Sequence, residues 1–197
     1  MSEILVLYYS RNGSVKQMAQ LIARGIEMVP NIHARIRTVP SVSANTEASE
    51  PKVPSSGAPF VEEKDLRDCI GLALGSPTRF GNMATPIKYF LDQLGGIWTQ
   101  GVLEGKPASV FTSASSLHGG QETTLISMMF PLIHLGMVIT GVPYSTPELS
   151  STQSGGTPYG ASHYAGPTGD NSITEEEKNI CISQGKNLAT IAKKLAG

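Results

Sequence analysis

Ile4-Leu5-Val6-Leu7-Tyr8 is followed by Ser10-Arg11-Asn12-Gly13, and then by Val15, Met18, Ala19, Ile22, Ala23, Ile26 and Val29 at three- and four-residue spacing. An apolar run of strand length without alternation predicts a strand covered on both faces, as in a parallel sheet. The spaced residues predict a helix with one buried stripe, ended by Pro30-Asn31. Strand, hydroxyl-rich turn and helix in that order open an α/β fold.

The rest of the chain repeats the alternation. His33 to Val39 reads as an edge-side strand stopped by Pro40, and Glu62 to Asp68 as a short acidic helix. Cys69 to Leu74 is a third strand. Thr85 to Leu94 is a helix with Pro86 at its first position. Ala108 to Thr112 is a fourth strand, Gln121 to Leu135 a helix kinked or restarted at Pro131, and Met137 to Thr140 a fifth strand. Thr174 precedes three acids that suit a helix N-terminus, and Cys181, Gly185, Leu188, Ala192 and Leu195 give that closing helix an apolar seam. The expected fold is one doubly wound α/β domain over residues 1–197, a five-stranded parallel sheet with helices on both faces. Two stretches interrupt it. Residues 41–60 are rich in Ser, Pro, Ala and Glu and read as an insertion loop. Residues 141–172 hold six glycines and four prolines, too long for an ordinary connection, so pocket closure or assembly is expected of them.

Composition removes several classes of function. Lys+Arg is 15 and Asp+Glu is 16, so the basic excess that nucleic acid needs is missing. Cys69 and Cys181 stand apart with no CxxC pair and the four histidines are dispersed, so no metal site is expected. From Thr123 to Pro147 there is no charged residue, but Pro131, Gly136, Gly141 and Pro143 interrupt the stretch, so a buried helix and strand explain it better than a membrane span. The N-terminus lacks a basic head and a small-residue cleavage site, so the expected location is cytoplasmic.

In open parallel sheets ligands sit beyond the carboxyl ends of the strands, at the switch in strand order. Three loops qualify. Ser10-Arg11-Asn12-Gly13-Ser14-Val15 offers hydroxyls, an amide and a glycine at a helix N-terminus, which suits a phosphate or else a simple capping turn. No GxGxxG and no GxxxxGK[ST] occurs. Gly75-Ser76-Pro77-Thr78-Arg79-Phe80-Gly81-Asn82-Met83 suits a flat heteroaromatic ligand, or is a turn stiffened by Pro77 and Gly81. It has no strand-end Asp, which argues against a phosphoacceptor receiver domain. Ser113-Ala114-Ser115-Ser116-Leu117-His118-Gly119-Gly120 lets backbone approach a ligand closely, or is a flexible cap before a helix.

Tyr8-Tyr9-Ser10, Gly75 to Met83, Phe90-Leu91-Asp92, His118 to Glu122 and Gly155-Gly156-Thr157-Pro158-Tyr159-Gly160-Ala161 resemble the WrbA-type NAD(P)H:quinone oxidoreductases, flavodoxin-like FMN proteins. The similarity runs in order along essentially the whole chain, and its PTRFGN and GGTPYGA strings are its most specific parts. The resemblance implies strand order 2-1-3-4-5 and FMN as cofactor. It assigns the FMN phosphate to Ser10, Arg11, Asn12, Gly13, Ser14 and Val15. It assigns the isoalloxazine to Pro77, Thr78, Arg79 and Phe80, and to Ser113, Ala114, Ser115, Ser116, Leu117, His118 and Gly119. His134 matches a histidine near the flavin and a tentative proton donor, although on its own it reads as a core histidine of an apolar helix. Asn12 matches a nicotinamide-contacting position and stands where some relatives carry an aromatic residue. Trp98 matches an aromatic wall of the substrate pocket, and without the resemblance would be ordinary packing. The resemblance further implies NADH or NADPH as co-substrate, a quinone as acceptor, ping-pong transfer through the flavin, and a homotetramer whose pockets neighbouring subunits complete. The alternatives are a flavodoxin-type electron carrier and an FMN-binding interaction or stress protein. His33 and His163 receive no role.

Overall fold

The computed structural model describes residues 2–42 and 57–197. Its strands are β1 (Ser2–Tyr8), β2 (Ile32–Thr38), β3 (Cys69–Arg79), β4 (Asn82–Met83), β5 (Pro107–Ala114), β6 (Val138–Ile139) and β7 (Ser162–Tyr164). Its helices are α1 (Ser14–Ile26), α2 (Glu63–Asp68), α3 (Thr85–Asp92), α4 (Gly95–Thr99), α5 (Gln121–His134), α6 (Glu148–Ser151) and α7 (Glu175–Leu195).

The sheet runs β2-β1-β3-β5-β6, with these neighbours parallel. With β4 and β7 left out of the numbering, this is the expected 2-1-3-4-5 order. Two additions escaped the sequence reading: β4 pairs antiparallel with β3, and β7 pairs parallel with β5.

The apolar run of β1 serves both faces. Ile4, Val6 and Tyr8 join one core with α1 and α7, while Leu5 and Leu7 join the other with α3 and α5. Each fully buried Leu or Ile side chain contributes about 1.5–3 kcal/mol of transfer free energy, so this short segment anchors both layers. On the first face α1 and α7 cross in close contact. A Cβ on Gly25 would overlap Ile182 O, and one on Gly185 would overlap Ile22 O. Gly185→Ala is therefore expected to push the helices apart and cost about 2 kcal/mol. Urea unfolding checks this, and an unchanged midpoint would contradict the close crossing.

Four expectations change in detail. Cys69 to Leu74 is the start of a longer strand, since β3 continues through Gly75-Ser76-Pro77-Thr78-Arg79, which read as loop. α5 passes through Pro131 as one helix. The stretch 141–172 contains α6 and β7 and is held by polar side chains of α7: the Gln184 Nε2–H donates to Val110 O at 2.9 Å, Gln184 Oε1 accepts from Ala161 N–H at 2.6 Å, and the Asn187 Nδ2–H donates to Gly141 O at 3.0 Å. Leu195, placed in the apolar seam of α7, is exposed, whereas Glu177 and Gln184 are buried. The insertion expected at 41–60 lies mostly outside the described residues; at its described end Phe60 bridges Thr38.

Among the described residues no helix is long and apolar enough to cross a membrane. Cys69 and Cys181 are both free and buried, and burial holds both thiols above their ordinary value.

Candidate functional site

Strand order reverses between β1 and β3, and the loops leaving their carboxyl ends diverge there. They bound a cleft of about 330 Å³. Ser10, Arg11, Asn12, Ser14 and Val15 line it from the β1–α1 turn, Pro77, Thr78, Arg79 and Phe80 from the end of β3, and Ser113, Ala114, Ser115 and Gly119 from the end of β5. All three sequence-predicted loops therefore meet at one place. Gly13 belongs to the same turn without lining the cleft, as do Ser116, Leu117 and His118 in the loop after β5.

The β1–α1 turn is built to leave donors free. Gly13 is the N-cap of α1 at φ 96°, and its N–H donates to Ser10 Oγ at 3.1 Å. No side chain caps α1, and its first turn holds no acid. The first amides of the helix are thus available to an anion, and the helix dipole favours one there. Arg11 and Arg79 are the charged residues of the lining, and none of the lining residues is acidic. A dianionic phosphate and an electron-rich ring both suit such a lining.

The end of β3 forms a stiff seat. The Ala84 N–H donates to Ser76 Oγ at 2.7 Å, and Thr112 Oγ1 donates to Ser76 O at 2.8 Å. Thr124 Oγ1 donates to Thr78 Oγ1 at 3.2 Å, and the Arg79 Nη1–H donates back to Thr78 O at 2.7 Å. Phe80 (φ 51°) and Gly81 (φ 74°) then make the two-residue turn into β4, where both central residues need positive φ. Glycine accepts that freely, whereas an aromatic residue there is strained. Phe80 is also 107% exposed, so nothing in its own chain rewards the strain.

The fourth wall escaped residue-level reading. Ala165, Gly166, Pro167, Thr168 and Gly169 line the cleft directly after β7. They hang from a buried pair. The His163 Nδ1–H donates to Glu177 Oε2 at 2.7 Å, both side chains being 1% exposed. Glu177 also accepts from the N–H groups of Gly155 at 2.8 Å, Tyr164 at 3.1 Å and Thr174 at 2.9 Å. Burial pushes the Glu177 carboxyl up, but His163 and the Thr174 and Tyr164 amides outweigh it and hold it below the usual carboxylate range. Glu177, adjoining the Thr174 cap, carried the only sequence signal of this hub.

His134 and Trp98 are not brought to the cleft in one chain. His134 ends α5 ahead of the amino end of β6, and Trp98 lies in α4 ahead of the amino end of β5, opposite the edge where the cleft opens. Both are exposed.

The fold and cleft define a flavodoxin-like α/β protein with a cleft at its switch point. A NAD(P)H dehydrogenase (quinone) of Chromohalobacter salexigens is 42% identical to this chain over 201 residues, spanning 100% of each. The chain belongs to that family, the WrbA-type flavodoxin-like quinone oxidoreductases. Among solved structures it resembles the flavodoxin, WrbA-like protein from Agrobacterium tumefaciens, with a TM-score of 0.70, 18% identity, and 99% of each chain covered. Flavodoxin 2 from Bacillus cereus follows the same fold, with a TM-score of 0.60, 18% identity, and 98% of this chain and 99% of that one covered. No family model matches the chain.

Proposed function

We propose that this chain is an FMN-dependent NAD(P)H:quinone oxidoreductase. The observation that carries the reading is the uncapped, acid-free N-terminus of α1 opening into the same cleft as the Thr78–Phe80 seat. FMN fits this set: amides from Ser14 onward and Arg11 would hold its phosphate, while Pro77 to Phe80 and Ser113 to Gly119 would seat its ring. Held there, FMN would supply the hydride acceptance from NADH or NADPH and the two-electron delivery by which a quinone, with two protons, becomes a hydroquinone. The protein's part is to bind, orient and shield. Thr78, held by Thr124 and Thr112, fixes the ring seat, and Phe80 offers an aromatic face to ligand. The lining would place no carboxylate against a ring that gains electrons.

A homotetramer belongs to the same reading. Tyr89, Trp98, Phe130, Ile133 and Val138 are exposed on α3, α4, α5 and β6, an apolar surface of the kind that marks interfaces. His134 and Trp98 lie at that surface, so the roles the resemblance gives them need a neighbouring subunit's cleft. The whole chain is proposed to act as one flavodoxin-like unit in the cytoplasm, with no part for nucleic acid or a metal.

The test is turnover of FMN-loaded protein with benzoquinone and NADH or NADPH, with sedimentation in parallel. Parallel lines in initial-rate plots are expected, as both substrates use one cleft in turn. Trp98→Ala is expected to cut quinone turnover about tenfold while FMN is retained, since one aromatic contact contributes about 1–1.5 kcal/mol. No NAD(P)H oxidation would turn the reading toward an electron carrier.

A further inference from the structure

Three buried side-chain atoms have no hydrogen-bond partner among the described residues: Ser109 Oγ, Gln121 Nε2 and His163 Nε2. His163 is fixed to Glu177 through its other ring nitrogen, and Ser109 lies within β5. Gln121 is the one at the rim of the cleft. With Thr124, Leu125, Met128 and Leu132 it forms the buried stripe of α5. Thr124 already donates to Thr78 Oγ1, and Thr78 lines the cleft. Gln121 stands one turn, about 5.4 Å, nearer the carboxyl edge of the sheet, where α5 begins. Its carboxamide is thus a buried donor, 5% exposed, next to the ring seat.

The loop that joins β5 to α5 is in the opposite condition. Ser115, Ser116, Leu117 and His118 are all exposed, while Ser115 and Gly119 line the cleft. The Gly119 N–H donates to Ser116 O at 3.2 Å and closes a turn. His118 sits at its third position with φ 56°, where positive φ suits glycine. A donor without an acceptor and a strained turn therefore share one wall of the cleft. Unsatisfied buried groups and local strain both call for a compensating contact, and a ligand that drew the turn inward would supply it.

We propose that Gln121 is the positioning residue of this wall: with a flavin ring against Thr78 and Gly119, the loop from Ser115 to His118 turns inward, and one of its backbone carbonyls accepts from the Gln121 carboxamide. The inference rests on the flavin reading of the cleft. Gln121 touches no ring atom and acts through the loop. Its loss should therefore weaken FMN and riboflavin alike, unlike a change at the phosphate end.

The test compares wild type with Gln121→Met, an apolar side chain of similar length, by thermal melts of flavin-free protein and by fluorescence titration with FMN and riboflavin. Hydrogen exchange of the Ser115 to Gly120 amides, with and without FMN, accompanies it. Removing an unsatisfied donor should raise the Tm of the flavin-free variant by about 2–6 °C. Both flavins should bind the variant about tenfold more weakly, since the one hydrogen bond made on loading is lost. FMN should slow exchange of the loop amides in wild type, and much less in the variant. A merely structural glutamine would lose stability and affinity together, and that result would overturn the proposal. So would unchanged flavin affinity in Gln121→Met. Loop exchange in wild type that FMN leaves unaltered would overturn it without recourse to any variant. Tight FMN binding and brisk quinone turnover with an unaltered loop would sink the Gln121 assignment alone. Wild type that binds no flavin would sink the flavin reading and this inference with it.

Discussion

Glu177→Gln is expected to lower stability at neutral pH by about 3 kcal/mol, since it leaves several donors around a buried carboxylate without their acceptor. For a chain of this size that is a fall in Tm of about 6–12 °C. The cause is local. One carboxylate, its side chain 1% exposed, accepts from the His163 imidazole and from three backbone N–H groups. A carboxamide must turn its NH2 group toward donors it cannot serve, leaving them unsatisfied. The effect should reach function, because Ala165 to Gly169 leave β7 directly after Tyr164 and form a wall of the cleft. Flavin should therefore be held less tightly by the variant. The pH dependence has a definite sign. The folded carboxyl titrates below its unfolded value of about 4.3, so its contribution is full above that pH and is lost as pH falls through the folded value. Wild type and Glu177→Gln should thus differ most at neutral pH and converge in acid. Thermal melts across pH measure this, and a constant gap between the curves would mean that the carboxylate charge contributes nothing.

That hub marks where the sequence stops being legible. β1 and α1 can be read because each buries a periodic apolar face, and the pattern states which face. The extension of β3 through Ser76-Pro77-Thr78 has no such pattern. Its polar groups are satisfied by hydroxyls of β5 and α5 and by the Ala84 amide ahead of α3, not by a core. β7 is hidden for a similar reason. Ser162-His163-Tyr164 packs on polar groups of α7, with His163 fourteen residues from its partner. α4 opens with Gly95-Gly96, which no propensity argument would start a helix on. For the site, loops that follow strands could be located by topology alone, and thirteen of the residues assigned to them line the cleft. The wall at 165–169 could not, since it depends on a strand that the sequence does not announce. His134 and Trp98 came from resemblance only, and in one chain they stand at the opposite edge of the sheet.

Riboflavin is expected to bind several hundredfold more weakly than FMN, a difference that the proposed FMN assignment requires. The phosphate would meet uncapped α1 amides and Arg11, and two or three charge-assisted contacts at about 1.5 kcal/mol each give roughly 3–4 kcal/mol. Fluorescence titration of flavin-free protein measures both affinities. Ser14→Ala should weaken FMN about tenfold and leave riboflavin nearly unaffected, because it removes a hydroxyl from the lining without altering the ring seat. Ser10→Ala should act differently. Its Oγ accepts from the Gly13 N–H, so its loss loosens the turn that presents the amides. Rising ionic strength separates the causes further: Arg11 is exposed and its share is screened, while amides fixed at the helix end lose less. FMN affinity should therefore fall modestly with salt and level off at a value still well above that of riboflavin. Equal affinity for the two flavins at low salt would remove the phosphate from the α1 N-terminus. A preference lost entirely at high salt would move it from the helix amides to Arg11 alone.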